Sequence, residues 1–336
     1  MTLKVAINGF GRIGRLVMRA AVESRREDIK FVAINDMGPA RMNAHLLEFD
    51  SVHGRLNAAI EAGDGWMRVD GTEIKVTSEL VPEKLPWREL GVDVVMECTG
   101  RFTKREDAAR HLAAGAKRVL VSAPADKADL TVVYGVNHDK LTAGHLVVSN
   151  ASCTTNCLAP VAKVLHEAIG IERGFMTTIH SYTGDQRTVD TFHSDAYRAR
   201  AAAANLIPTT TGAARAVGLV LPELRGKLDG TAIRVPTPNV SLVDLKFAST
   251  RPTNAKAINE AMAAASRGGP LKGVLAVNDR PLVSSDFNHN PASSVFDVSG
   301  TQVVDGVFCR VMSWYDNEWG FSNRMIDTAA AMGRLL

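Results

Sequence analysis

Lys4-Val5-Ala6-Ile7-Asn8-Gly9-Phe10-Gly11-Arg12-Ile13-Gly14 decides the reading of the first half of the chain. A short apolar run, sized for a strand buried on both faces, leads directly into G-x-G-x-x-G. Helical spacing then follows over Gly11–Ser24. Strand, glycines and helix in that order are the context a dinucleotide-binding turn requires. Gly9 permits the tight turn, Gly11 lets the main chain approach a pyrophosphate, and Gly14 lets helix and strand pack closely. Unpaired N–H groups at the helix start can hold the anion. An acidic residue should close the next strand, and Asp36 stands 22 positions after Gly14. Its carboxylate can accept from ribose hydroxyls and would repel a 2′-phosphate, which favours NAD over NADP.

Working outward, Phe31–Asp36, Asp93–Cys98, Arg118–Ser122 and Leu146–Ser149 are further apolar runs of strand length. Pro39–Phe49 and Thr103–Ala114 carry helical spacing between them. The alternation predicts an α/β fold with a Rossmann-type doubly wound parallel sheet over residues 1–151. Residues 55–80 read as hairpin strands that decorate this domain. After residue 151 the rhythm changes. A helix over Cys153–Ile169 precedes longer alternating strands at Phe175–Ser181, Thr231–Val235, Val240–Ala248 and Val307–Trp314. Period-two alternation predicts an α+β catalytic domain over 152–317 with a mainly antiparallel sheet. Residues 182–205 form a polar, Arg-rich loop, and loops of that length in compact domains are usually functional. The last helix, within 318–336, is expected to return to the first domain.

Composition narrows the function class. The 336 residues carry a net charge of +3, with 22% charged and 46% hydrophobic residues, which excludes a disordered chain. With 11 Phe, 4 Tyr and 4 Trp and no basic stripe, nucleic acid is not expected as the main partner. The amino terminus lacks the layout of a signal peptide, and no apolar run reaches the roughly 18 residues of a membrane span. Cys98, Cys153, Cys157 and Cys309 include no CxxC pair. Free thiols, a cytoplasmic address and no metal site are expected.

Ser149-Asn150-Ala151-Ser152-Cys153-Thr154-Thr155-Asn156-Cys157 is the stretch richest in chemistry. Cys153 falls in the first turn of the predicted helix, where free amides and the positive helix end should lower its pKa and serve an oxyanion. Cys157, one turn further in, reads as a buried, inert thiol. Pro160 inside the helix predicts a kink. Among nine histidines, His180 is the candidate base because a strand holds its ring rigidly at the mouth of the long loop. A thiolate beside a nicotinamide implies thiohemiacetal formation, hydride loss and a thioester that passes its acyl group onward. Thr209–Ala214, Gly230–Pro236, Arg198 and Arg200 offer hydroxyls, amides and guanidinium groups suited to phosphate.

At this point the chain resembles phosphorylating glyceraldehyde-3-phosphate dehydrogenase along nearly its whole length. Ile7–Arg15, Asp50–Arg55, Ser122–Pro124, Ser149–Pro160, His180–Thr183, Ile207–Gly218, Arg234–Val240 and Ser313–Gly320 carry the likeness. The resemblance implies Cys153 as nucleophile and His180 as base. It implies that Thr183 and Arg234 meet the substrate's C3 phosphate. Ser152, Thr154, Thr211 and Gly212 would meet inorganic phosphate, with Arg198 moving between the two anions. Arg12, Ile13, Thr99, Ser122 and Asn317 match cofactor contacts, Asn317 holding the carboxamide. A homotetramer is implied, its long loop reaching a neighbour's cofactor. The reaction expected is reversible oxidative phosphorylation of D-glyceraldehyde 3-phosphate to 1,3-bisphosphoglycerate. The alternatives are an erythrose-4-phosphate dehydrogenase and a non-enzymatic NAD-binding interaction protein.

Three departures qualify the likeness. Thr191-Phe192 replaces a Leu-Pro of strictly NAD-dependent members, leaving NADP use open. Phe321 stands where Tyr is usual. Ser78 stands where a cofactor-side Arg or Lys is common, so its contact would run through backbone or water.

Overall fold

The computed structural model describes residues 2–336. It divides into two compact units. One takes in the chain through Val132, with His138–Ala151 and Ser322–Leu336; the other comprises Val133–Asn137 and Ser152–Phe321.

Among the described residues, nine strands form one sheet in the first unit. Their order is Leu130–Thr131, Val147–Ser149, Arg118–Val121, Val94–Glu97, Leu3–Asn8, Ile29–Asn35, Thr72–Thr77, Trp66–Val69 and Ile60–Gly63. The first seven pair in parallel, and the last two add an antiparallel hairpin. The chain starts in a central strand, winds to one side, then crosses to the other. Ligands of such sheets bind at this reversal, outside the carboxyl ends of the strands. Val5, Ile7, Val94, Val95 and Met96 are fully buried, as parallel strands covered on both faces must be.

In the second unit seven strands run in the order Ile207–Thr210, Leu228–Val235, Ile171–Ser181, Ser241–Ser249, Phe308–Tyr315, Ser294–Val304 and Leu275–Asn278. Two of the neighbouring pairs are parallel and four are antiparallel. This is the mainly antiparallel sheet that the alternation predicts. The helix Cys153–Ile169 buries Cys157, Leu158, Val161 and Leu165, and it continues through Pro160 as one element.

Two sequence expectations change. Thr103–Ala114 is not one helix but two single turns, Arg105–Ala108 and Arg110–Ala113. At their junction the Leu112 amide bonds the Ala109 carbonyl, a tighter i→i+3 spacing. Between residues 249 and 306 the sequence reading names no element. The fold places the helix Ala255–Arg267 and two strands there.

The helix Trp319–Gly333 is held within the first unit for most of its length. Thr328 Oγ1 donates to Asn150 Oδ1 at 2.8 Å, and Arg118 Nη2 donates to the Leu335 carbonyl at 2.8 Å. No helix among the described residues is long and apolar enough to cross a membrane.

Candidate active site

In the first unit the glycine-rich turn has the geometry its spacing requires. Gly9 adopts φ +89°, and a Cβ there would lie 2.7 Å from the Thr99 nitrogen. A Cβ on Gly14 would collide with the Gly9 carbonyl oxygen, whereas one on Gly11 would meet open space. Gly11 caps the helix Arg12–Glu23, whose first turn holds no acidic side chain. Such an amino end favours an anion. A cavity of about 260 Å³ opens beside it, lined by Gly9, Gly11, Asp36, Leu80, Thr99 and Phe102 among others. Asp36 is fixed at the mouth by the Phe10 amide (2.7 Å) and the Gly38 amide (2.9 Å), leaving acceptor lone pairs for hydroxyls. These residues fit a dinucleotide.

The other predicted contacts of this unit are less uniform. Arg12 is engaged in a bidentate pair with Asp50, whose carboxyl is held near 2 against the cost of burial by that guanidinium and two loop amides. Ser78 is exposed, and its hydroxyl faces the Met37 sulfur at 3.9 Å. Ile13 is half-buried on the helix, and the Ser122 amide bonds the Glu97 carbonyl at 2.9 Å.

The second unit gathers the reactive side chains. Ser152 caps the helix Cys153–Ile169, its Oγ accepting from the Thr155 amide at 3.0 Å. Before it, Ala151 adopts φ +56°, a left-handed backbone that favours glycine. Cys153 is thereby the first helical residue, half-buried, with its Sγ 3.5 Å from His180 Nε2. His180 lies on Ile171–Ser181, and the parallel register sets it opposite Arg234 on Leu228–Val235. His180 Nδ1 lies 2.7 Å from the Ser181 carbonyl and 3.0 Å from Arg234 Nη1; with the ring proton directed to the nearer carbonyl, Nε2 is left to accept from the thiol. Arg234 Nη1 donates to the same carbonyl at 3.0 Å and to Thr183 Oγ1 at 3.1 Å.

The electrostatics differ from the sequence expectation in one respect. Burial pushes the Cys153 thiol up, and the Arg234 charge with the helix amides offsets only part of that. The lowered thiol pKa expected from helix position is therefore corrected: desolvation outweighs the helix end. Burial and Arg234 together bring His180 down to about 3. The resting pair is a thiol facing a neutral imidazole, so proton transfer from the sulfur accompanies its attack on carbon rather than preceding it.

The predicted phosphate ligands fall into two neighbouring groups. Thr155 Oγ1 donates to the Ala213 carbonyl at 3.3 Å, which brings the amino end of Ala213–Val220 beside that of Cys153–Ile169. Gly212 caps the former helix, and Thr211 Oγ1 accepts from the Ala213 amide at 3.2 Å. Two helix amino ends side by side make a strong anion site. In the second group, Thr183 and Arg198 both donate to Asp185, Arg198 Nη1 at 2.6 Å. Arg234 Nε and Gln186 Nε2 are buried without a hydrogen-bond partner. Donors left over in this way suit an incoming anion.

Sequence reasoning missed three residues. Asp185 sits two positions after Thr183, a carboxylate where the donors of the second group converge. Tyr315, 1% exposed, bonds Thr154 Oγ1 (2.8 Å) and Thr178 Oγ1 (2.9 Å) and sets its ring edge-on to His180. Ser241 joins Ser181 in donating to Asn317 Oδ1, each at 2.8 Å, which fixes the orientation of that amide. Strand register brings in Tyr315 and Ser241, and a loop turn that closes on Arg198 brings in Asp185.

Comparison with known proteins decides the family. The family model for the NAD binding domain of glyceraldehyde 3-phosphate dehydrogenase matches residues 3–105, and the model for its C-terminal domain matches 152–317. The chain belongs to the glyceraldehyde-3-phosphate dehydrogenase family. It is 67% identical over 335 residues to the glyceraldehyde-3-phosphate dehydrogenase of Xanthobacter flavus, covering 100% of each chain. The enzyme of Cereibacter sphaeroides is also 67% identical, over 336 residues and 100% of each chain. That of Geobacillus stearothermophilus is 58% identical over 331 residues and 98% of each chain. The family thus gives this chain an NAD-binding domain.

Proposed function

We propose that Cys153 and His180 carry the reversible oxidation of D-glyceraldehyde 3-phosphate to 1,3-bisphosphoglycerate. The single observation that carries this reading is the 3.5 Å approach of Cys153 Sγ to His180 Nε2. The sulfur adds to the aldehyde carbon as Nε2 takes its proton, giving a thiohemiacetal. Helix amides beside Cys153 stabilise the oxyanion until the protonated His180 returns its proton to it. The neutral imidazole then removes that hydroxyl proton as the carbon loses hydride and becomes a thioester. NAD, when bound, supplies the hydride acceptor. Inorganic phosphate then attacks the thioester carbonyl and expels the Cys153 sulfur.

Thr183 and Arg234 are assigned to the substrate phosphate. Ser152, Thr154, Thr211 and Gly212 are assigned to inorganic phosphate, and Arg198 reaches towards both. An anion at Thr183 displaces Asp185, which now takes its donors. The cofactor is assigned to Gly9, Gly11, Arg12, Ile13, Gly14, Asp36, Ser78, Thr99, Ser122 and Asn317. Residues 1–151 with the 318–336 helix form the NAD-binding domain in this reading, and 152–317 the catalytic one. A homotetramer in the cytoplasm completes it. Val189, Phe192 and Leu206 support the former, being 66%, 85% and 70% exposed. Four free cysteines support the latter.

The test is NADH production from glyceraldehyde 3-phosphate, with and without inorganic phosphate and with NADP in place of NAD. Turnover should require phosphate, with a phosphate-free burst of about one NADH per site. The Asp36 carboxylate should make NADP the poorer oxidant. Steady turnover independent of phosphate would reject acyl transfer to phosphate.

Thiol reactivity gives a second expectation. Burial pushes Cys98 and Cys157 up to about 12, and Cys309 is also raised. Cys153 is raised by burial as well, but its sulfur faces His180 Nε2 at 3.5 Å, which can take the proton as sulfur attacks, so iodoacetamide at neutral pH should label it first. Equal, slow labelling of all four, read by peptide mass spectrometry, would favour a non-enzymatic NAD-binding protein.

A further inference from the structure

Behind the cofactor cavity runs a chain of buried polar side chains with Glu97 at its centre. Glu97 Oε1 accepts from the Thr99 amide at 2.8 Å and from the Thr99 hydroxyl. Its Oε2 accepts from Asn8 Nδ2 at 2.5 Å and from His111 Nε2 at 3.0 Å. Four donors on two oxygens use the full acceptor capacity of a carboxylate. His111 Nδ1 faces the Trp87 indole N–H at 3.0 Å. An indole N–H only donates, so Nδ1 accepts and the ring proton sits on Nε2, towards Glu97. Trp87 and His111 are 0% exposed, Glu97 1% and Asn8 2%, so solvent cannot replace a lost bond.

The chain extends past Asn8. Asn8 Oδ1 accepts from Asn35 Nδ2 at 2.7 Å, and Asn35 Oδ1 accepts from Thr77 Oγ1 and the Glu79 amide, each at 2.9 Å. The carboxyl ends of four sheet strands are thus tied together where the cavity opens. Two of the resulting turns, at Gly9 and Thr99, pack so closely that no side chain fits between them. Glu97 bonds the residue before one turn and the residue inside the other.

We propose that Glu97 is a positioning residue for NAD. It holds the Thr99 turn against the Gly9 turn and so sets the affinity for the adenosine end of the cofactor, without touching it. The proposal rests on assigning this cavity to NAD. Glu97→Gln keeps the shape but turns an NH2 group against two of the four donors, leaving buried groups unpaired. Losing a buried bond to a charged group should weaken both NAD and ADP-ribose by about tenfold or more. Calorimetric titration of the full-length protein reads both. The KM for NAD should rise by the same factor, while kcat at saturating NAD stays within about twofold.

Trp87→Phe removes the indole N–H together with part of a buried ring, and its hydrogen-bonded route to the cofactor runs through His111 and Glu97. It should shift affinity in the same direction by a smaller factor, and it decides the matter if Glu97→Gln does not fold. A folded variant with wild-type ADP-ribose affinity, or one losing kcat instead of affinity, would overturn the proposal. Asp36→Ala separates the two assumptions. If that change also leaves ADP-ribose binding untouched, the cavity assignment fails; if it weakens binding while Glu97→Gln does not, only the role of Glu97 fails.

Discussion

Cys153→Ala is expected to abolish acyl transfer, lowering NADH formation by at least about 10⁴-fold, because a covalent mechanism has no substitute for its nucleophile. The size follows from the site. Cys157 lies one helical turn further in, fully buried, with its sulfur facing the Ser294 hydroxyl at 3.5 Å and the Ser313 carbonyl at 3.7 Å. It has no imidazole and cannot take over. The variant should fold normally, since a half-buried thiol replaced by methyl disturbs little packing. Rapid quench with radiolabelled aldehyde would show no protein-bound acyl group. A burst of NADH at the wild-type rate in this variant would remove Cys153 from the reaction.

His180→Asn should lower the rate by about 10²–10⁴-fold while leaving the thiol in place. Its second signature is in stability. The folded-state value of about 3 lies below the ordinary histidine value of 6.5. Between them the unfolded chain binds the proton that the folded chain refuses. Stability should therefore fall as pH drops from about 6.5 towards 3, with a limiting slope of about 1.4 kcal/mol per pH unit from this group. In His180→Asn that contribution vanishes, so its denaturation midpoint should depend less on pH over this window. A variant with an unchanged rate and an unchanged pH dependence would show that the imidazole is neither base nor buried.

Much of this site was legible before any coordinates, and the reasons are local. Gly9, Gly11, Gly14 and Asp36 follow a spacing imposed by one turn and two strands, and the structure supplies the turn, the close packing and the fixed carboxylate. Cys153 was legible because Ser152 is a good helix cap and the cap sets the next residue. What could not be read depends on strands far apart in sequence. Tyr315 enters through the register with Ser241, and Asp185 through a loop that closes on Arg198. The thiol's direction of shift failed for a related reason. A helix end is visible in sequence, but the enclosure that outweighs it is not. The split of Thr103–Ala114 falls beside His111, whose ring bonds Glu97 and Trp87, partners remote in sequence.

His180 and Arg234 are rungs of the same parallel ladder, opposite one another on adjacent strands. Slipping the pairing by one position would turn every side chain of the slipped strand to the other face of the sheet, parting imidazole from guanidinium. The main-chain bonds of two strands therefore act as a vernier for catalysis. Mild denaturant that loosens this ladder should extinguish turnover while most of the secondary structure persists.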